Sequence, residues 1–269
     1  MALLLSETFP DPSLNLTLEV FLRDLYALFG ARLLSAMLYG SLVHGDLAPG
    51  YGDLDFVVVI DGGLDTADRD GLAHIRVPLR SGIYGDLAAM LEGAFLTREM
   101  LCPDVPGSGF WWGTTGERPV DHNHLGWFNL LDLKENGIVI FGMDLRTEIP
   151  APQQADLLKE IRDMCSMMRQ QGREAGEHSV DWLLQCARYL SFLNEGRLFS
   201  KSEAAEWAEK HATGSWRHCL KDCSRYRRDS SYRSKRRTKQ WLKTLHVPLE
   251  EACDELEMTL AHSTEGCNT

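Results

Sequence analysis

The sequence predicts an α+β protein in two parts. Residues 1–150 read as a mixed sheet flanked by helices, and residues 151–269 as an all-helical bundle. Two observations carry this. Short apolar runs rich in β-branched residues, the mark of buried strands, stop at Pro150-Ala151-Pro152. Beyond that break the pattern is helical almost throughout, and strands followed by a run of helices suggest an α+β domain plus a helical one. The 269 residues allow two ordinary domains or one large one.

In chain order, residues 16–30 carry apolar side chains at helical spacing on two sides and end at Gly30. Leu33–Tyr39 is a short buried strand stopped by Gly40-Ser41, after which a short helix is expected. Gly50-Tyr51-Gly52 signals a turn, and residues 53–60 form a strong strand closed by Asp61-Gly62-Gly63. A modest helix is expected over 65–76. The run 87–96 fits strand or helix by pattern alone. Residues 102–120, with three Pro and four Gly, read as a loop carrying Trp111 and Trp112. A helix over 121–133 and a strand over 137–141 close the first part. Helices are expected over 153–171, 178–195, 201–212, 215–228, 232–245 and 248–261.

Composition excludes several classes. With 44% hydrophobic and 25% charged residues, the chain has an ordinary globular balance. A net charge of −11 argues against a whole-chain nucleic-acid binder. No apolar run approaches the ~18 residues that a membrane-spanning helix needs. The apolar start Met1–Leu5 has no basic residue before it and meets Glu7 too early for a signal peptide, so a cytoplasmic location is expected. Seven cysteines, at 102, 165, 186, 219, 223, 253 and 267, include no Cys-x-x-Cys and read as reduced thiols. Residues 217–243 hold eleven Lys/Arg against two acids, a net of +9, which leaves −20 on the remainder. That segment reads as a solvated helical face, with a bound polyphosphate or RNA as the alternative.

The chemistry lies in the stretch from Leu38 to Asp55. A strand that ends in Gly40-Ser41 offers free N–H groups and a hydroxyl, with no Cβ blocking approach at the glycine, which suits phosphate oxygens. Asp53 and Asp55 stand two apart at the start of a strand, so both carboxylates point to one face. Side by side they repel unless a cation neutralises them. Hard oxygen ligands of this kind suit Mg²⁺, which commonly takes one or two carboxylates together with substrate phosphates. The combination describes a nucleoside-triphosphate site.

These residues resemble the nucleotidyltransferase superfamily that includes DNA polymerase beta, whose pattern is Gly-Ser, a spacer, then Asp-x-Asp opening a strand. Here it reads Gly40-Ser41, then Asp53-Leu54-Asp55, with Gly52 where many members carry Ser or Thr. The family usually adds a third carboxylate on a later strand. Glu92, alone among apolar neighbours in Leu91–Leu96, is the candidate metal ligand and general base, with Asp86 and Glu99 as weaker alternatives. The second half resembles the helical domain of aminoglycoside adenylyltransferases of the streptomycin/spectinomycin type. It does so over Leu183–Tyr189, Glu195–Lys201 and Ala204–Ala208. By position, the resemblance implies that Arg188 and Lys201 hold the nucleotide phosphates. It implies Trp112 (or Trp111), Glu177 and Asp181 for a polycationic, hydroxylated substrate, with a one-residue gap in the local spacing of the two acids.

The resulting expectation is a Mg²⁺-dependent transfer of AMP from ATP to a hydroxyl of a small molecule, an aminoglycoside such as streptomycin or spectinomycin, with release of pyrophosphate. The alternative keeps the fold and changes the acceptor to a protein or RNA, with the basic stretch 217–243 holding it. A non-enzymatic module is disfavoured by the intact Asp53/Asp55 pair.

Overall fold

The computed structural model describes residues 5–6, 9–48, 50–113 and 116–265. Cys267, and residues 1–4 and 7 of the stretch weighed for a signal peptide, lie outside the described residues. The chain divides into two compact units, Met1–Pro152 and Gln153–Thr269.

The first unit opens with α1 (Pro12–Phe29). Asp11 caps it by accepting from the Ser13 N–H at 2.8 Å, Pro12 occupies the first turn, and Gly30 ends it at φ 54°. Strands β1 (Leu33–Leu38) and β2 (Leu54–Ile60) follow, then α2 (Thr66–Arg80), the one-turn α3 (Asp86–Ala89) and β3 (Leu91–Thr97). The ambiguous run 87–96 thus ends one short helix and forms one strand. Next come β4 (Gly109–Gly113), β5 (Gly116–Val120), α4 (Trp127–Asn136) and β6 (Ile138–Gly142). Among the described residues they form one six-stranded sheet in the order β5-β4-β3-β2-β1-β6. Among the described residues only β2 and β3 pair in parallel, and α2 and α3 provide the crossover that parallel strands require.

Alternation along β2 sorts the two faces. Leu54, Phe56, Val58 and Ile60 enter a core with α1 and α2, where Phe21, Leu72 and Phe95 lie. Val57 and Val59 enter a second core with Leu130 and Leu133 of α4. Asp55 shares the parity of Val57, so the α4 side of the sheet carries its carboxylate.

Two expectations are corrected here. Residues 102–120 are not all loop, because β4 and β5 pair antiparallel within them. Pro119 is tolerated because β5 is the edge strand, where a missing N–H costs no ladder bond. Gly109 is used for closeness, since a Cβ there would lie 2.8 Å from the Phe95 carbonyl oxygen. The helix expected after Gly40-Ser41 is instead a run of turns over residues 40–45, in which Gly40 and Gly45 take φ of 71° and 64°.

The second unit is helical: α5 (Gln154–Gln171), α6 (Glu177–Glu195), α7 (Lys201–His211), α8 (Leu220–Arg228), α9 (Ser230–Arg233), α10 (Arg236–Leu242) and α11 (His246–Glu265). The helix expected over 215–228 begins as a tighter 3₁₀ turn at Ser215–Cys219, and that over 232–245 breaks at residues 234–235 between α9 and α10. The capping box of Ser200 with Glu203 starts α7. α6 is the central helix, packed against α7, α8 and α11. Arg169 ties α5 to α11 through Glu250, Asp254 and Glu257, each at 2.8 Å. No helix among the described residues is long and apolar enough to cross a membrane.

Glu255 of α11 organises the segment before α8. Its carboxylate accepts from the Thr213 N–H at 2.7 Å, the Gly214 N–H at 3.0 Å and the Trp216 indole N–H at 2.7 Å. Burial alone would raise its pKa, yet these donors hold it below the usual glutamate value. A lowered folded pKa gives stability that is present above the unfolded value and is lost as pH falls through the folded one. Glu255→Gln should therefore cost about 1–3 kcal/mol in urea unfolding at neutral pH. The gap from the parent should narrow in acid, and a gap independent of pH would contradict this reading.

The aromatic core of the first unit fixes a second outcome. Trp112 of β4 is fully buried, with ring centroids 4.9 Å from Phe95 and 5.8 Å from Phe21 and Phe56. Trp112→Ala should cost about 3–5 kcal/mol, the range for emptying a large aromatic site in a core. Trp111→Ala should cost less than half as much, and equal losses would show that the two faces are misassigned.

Candidate active site

The site grows from the parallel pairing of β2 and β3. In that register Asp55 lies opposite Glu92, and register partners on adjacent strands share a face. Asp53 precedes Asp55 by two residues at the mouth of the same strand. On the neighbouring strand, the Tyr39 N–H donates to the Asp55 carbonyl at 3.2 Å and extends the β1–β2 ladder toward the site. The Tyr39 phenol is buried. Its pKa is pushed well above the ordinary value, first by burial and then by the negative charges of Asp55, Glu92, Asp132 and Asp53. Four carboxylates, from β2 and the residue before it, β3 and α4, thus act on one buried ring.

Gly40 closes the other side. Its φ is 71°, and a Cβ there would stand 2.2 Å from Asp55 Oδ2. Both the backbone conformation and the space next to the carboxylate demand glycine. Beyond it, the Ser41 hydroxyl makes a long hydrogen bond of 3.5 Å to the Asp53 carbonyl, and the Asp46 N–H donates to the Ser41 carbonyl at 2.8 Å. Gly40-Ser41 and Asp53-x-Asp55 are thereby in direct contact. The turn also leans on α4: Asp132 accepts from the Gly40 N–H at 3.1 Å and from His44 Nε2 at 2.7 Å. At Gly52 the structure does not require glycine, because a Cβ would meet Ala48 only at 3.8 Å.

Among the described residues, no group of three or more His, Cys, Asp or Glu side chains makes a metal site by itself. The donor set is nevertheless the right kind for Mg²⁺. Asp55 and Glu92 are hard oxygen donors at one register position, with Asp53 beside them, and such an ion completes its shell with substrate phosphates and water. Asp86 opens α3 and Glu99 follows β3, both off this register.

Trp112 is corrected as a substrate contact. Strand alternation turns it into the core opposite the carboxylates, where the Arg76 guanidinium lies 4.8 Å from its ring centroid. Trp111 is the residue on the Glu92 face, because it pairs with Ala94 of β3. The choice between the two is a parity question that neighbouring identity cannot answer.

In the helical unit, Glu177, Asp181 and Arg188 all lie on α6, and Lys201 is the first residue of α7. Lys201 Nζ donates to Asp181 Oδ1 at 2.7 Å, and Arg188 Nε donates to the Phe199 carbonyl at 2.9 Å. An expected phosphate ligand and an expected substrate acid therefore hold each other. Glu177 accepts from the Tyr226 hydroxyl; burial first and then this bond push that phenol up to about 12.

The basic stretch 217–243 is partly structural. Arg217 donates to the Ala212 carbonyl, Arg228 to the Ser202 hydroxyl, and Arg233 to the carbonyls of Tyr226 and Arg227, at 2.6–3.0 Å. Arg227 is itself buried. Tyr39, His44 and Asp132 are site residues that the sequence reading did not single out. Asp132 carried the signal that marked Glu92, a lone acid in an apolar run (Leu130-Leu131-Asp132-Leu133).

Residues 149–249 match a family described as aminoglycoside adenylyltransferase, C-terminal domain. No curated protein matches the chain. Among solved structures, the chain is similar to spectinomycin adenyltransferase AAD(9) from Enterococcus faecialis, crystallised with ATP and spectinomycin. The TM-score is 0.70 and the identity 17%, over 90% of this chain and 98% of that one. At that identity the likeness establishes the fold, and the family match over 149–249 is independent of it. Residues 149–249 thus match the C-terminal domain of the aminoglycoside adenylyltransferases, and the chain shares the fold of AAD(9).

Proposed function

We propose that this protein transfers AMP from ATP to a hydroxyl of an aminoglycoside of the streptomycin/spectinomycin kind, releasing pyrophosphate. The observation that carries the reading is the register pairing of Asp55 with Glu92 directly against Gly40. In this reading residues 1–150 are the nucleotidyltransferase domain and residues 151–269 the helical domain. The solved relative was crystallised with both ATP and spectinomycin, which supports ATP as donor and this substrate class. Six free cysteines among the described residues suit the cytoplasm, where ATP is at hand.

Asp53, Asp55 and Glu92 would hold Mg²⁺, which supplies charge neutralisation for the triphosphate and for the negative charge that grows during transfer. Gly40 and Ser41 bind phosphate oxygens through backbone N–H and hydroxyl. The acceptor hydroxyl oxygen bonds to the α-phosphorus while the bond from that phosphorus to the bridging oxygen breaks. Glu92 takes the hydroxyl proton, and the bridging oxygen leaves on pyrophosphate. Arg188 and Lys201 stabilise the charge on that leaving group. Asp181 and Glu177 receive the ammonium groups of the substrate, and Trp111 takes the aromatic role first expected of Trp112.

The test is to incubate the protein with Mg²⁺, ATP and single aminoglycosides and to read product masses. A drug that gains one AMP establishes the reaction. Asp55→Asn and Glu92→Gln should each lower the rate at least ~10²-fold with the fold retained. Gly40→Ala should do likewise, because its Cβ would displace the Asp55 carboxylate. Tight ATP binding with no drug modified would move the search to protein or RNA acceptors. Full activity in Asp55→Asn would refute the mechanism.

A further inference from the structure

We infer that Asp132 and His44 form a positioning pair that sets the phosphate-binding turn, a role that rests on the nucleotidyl-transfer reading above. Asp132 is 1% exposed and lies on α4 between the core residues Leu130 and Leu133. A carboxylate taken that far from water is costly unless donors surround it. Its donors have a distinctive origin. Oδ2 accepts from the Gly40 N–H at 3.1 Å, and Oδ1 accepts from His44 Nε2 at 2.7 Å and from Asn136 Nδ2 at 3.0 Å. Asn136 belongs to the same helix as Asp132. The other two donors come from the turn, one on each side of Ser41.

The turn needs such an anchor. Gly40 and Gly45 bound it at positive φ, the residue type with the most backbone freedom to lose. Within it the Gly45 N–H donates to the Leu42 carbonyl at 3.0 Å and the Asp46 N–H to the Ser41 carbonyl at 2.8 Å, both short-range bonds. One buried carboxylate on a rigid helix ties down both the first residue of the turn and the side chain of its fifth. Fixing the turn before the nucleotide arrives removes ordering cost from binding, so the pair acts on nucleotide affinity.

The roles of the two residues are chemically distinct. An ionised carboxylate only accepts, so the proton of the His44 ring facing Asp132 sits on Nε2. Any side chain that places one N–H donor at that point can replace the imidazole. Glutamine can do so, while alanine and leucine cannot. His44 is thus a positioning residue whose effect passes through Asp132 and Gly40.

The test is calorimetric titration of the full-length protein with ATP and Mg²⁺, alongside melting temperature, for His44→Ala, His44→Gln, Asp132→Ala and the double variant. His44→Ala should weaken ATP binding about 10-fold, the scale of one hydrogen bond to a charged group. Its melting temperature should stay near that of the parent. His44→Gln should restore affinity to within about threefold, which a purely structural role would not require. In the double variant the losses should not multiply, because His44 has no route to the turn once Asp132 is gone. If Asp132→Ala does not fold, the two His44 variants decide the matter alone. Unchanged affinity in His44→Ala, with the parent binding ATP, would overturn the pair and leave the proposed reaction intact. A parent that binds no ATP would instead remove the reaction and, with it, this inference.

Discussion

The parallel contact between β2 and β3 is the constraint on which the rest depends. It sets Asp55 beside Glu92 on one face, with Asp53 at the strand mouth. Several carboxylates so close are unfavourable alone, and the surrounding structure makes that arrangement more severe. The buried Tyr39 phenol feels them all, its pKa pushed up by burial and by their charges, and Asp132 of α4 adds to the negative field. Gly40 supplies no Cβ, so the Asp55 carboxylate keeps its place against the turn. Such a site favours a divalent cation that brings its own anionic ligand. A triphosphate is the ligand that the adjoining Gly-Ser turn would recognise.

Much of this was legible in the sequence because the relevant signals are local. Asp53 and Asp55 open a run of β-branched residues, and period-two alternation is enough to place them on one face. Glu92 was visible as an acid in apolar company. What escaped was set by pairing between distant segments. The hairpin strands β4 and β5 are short and rich in glycine and proline, because they are tightly packed and at the sheet edge, and composition alone reads them as loop. Trp111 and Trp112 are adjacent, so only the register of β4 against β3 tells which one faces the carboxylates. The anchoring of Gly40 by Asp132 spans 92 positions, and no local pattern reports it.

The helical unit follows a different logic. Its expected ligands cluster because they are read along one helix, α6, and at the start of the next. The clustering leaves Lys201 bonded to Asp181 and Arg188 bonded to the Phe199 carbonyl. Their charges are thus partly satisfied within the unit, and any anion or ammonium group that takes them must replace those bonds. The basic stretch, conspicuous in the sequence, spends several of its arginines on backbone carbonyls and on Ser202. A charge run is therefore a poor guide to a partner until its internal bonds are known.

The central claim is that the carboxylates on β2 and β3 hold a nucleoside triphosphate through a divalent cation. The most direct measurement is the affinity for a non-hydrolysable ATP analogue with Mg²⁺ and with Mg²⁺ chelated, in the parent and in Asp53→Asn. The account requires tight binding with Mg²⁺, a loss of at least ~10-fold on chelation, and a similar loss in the variant with little further effect of chelation. Binding that is equally tight in all four conditions would contradict it.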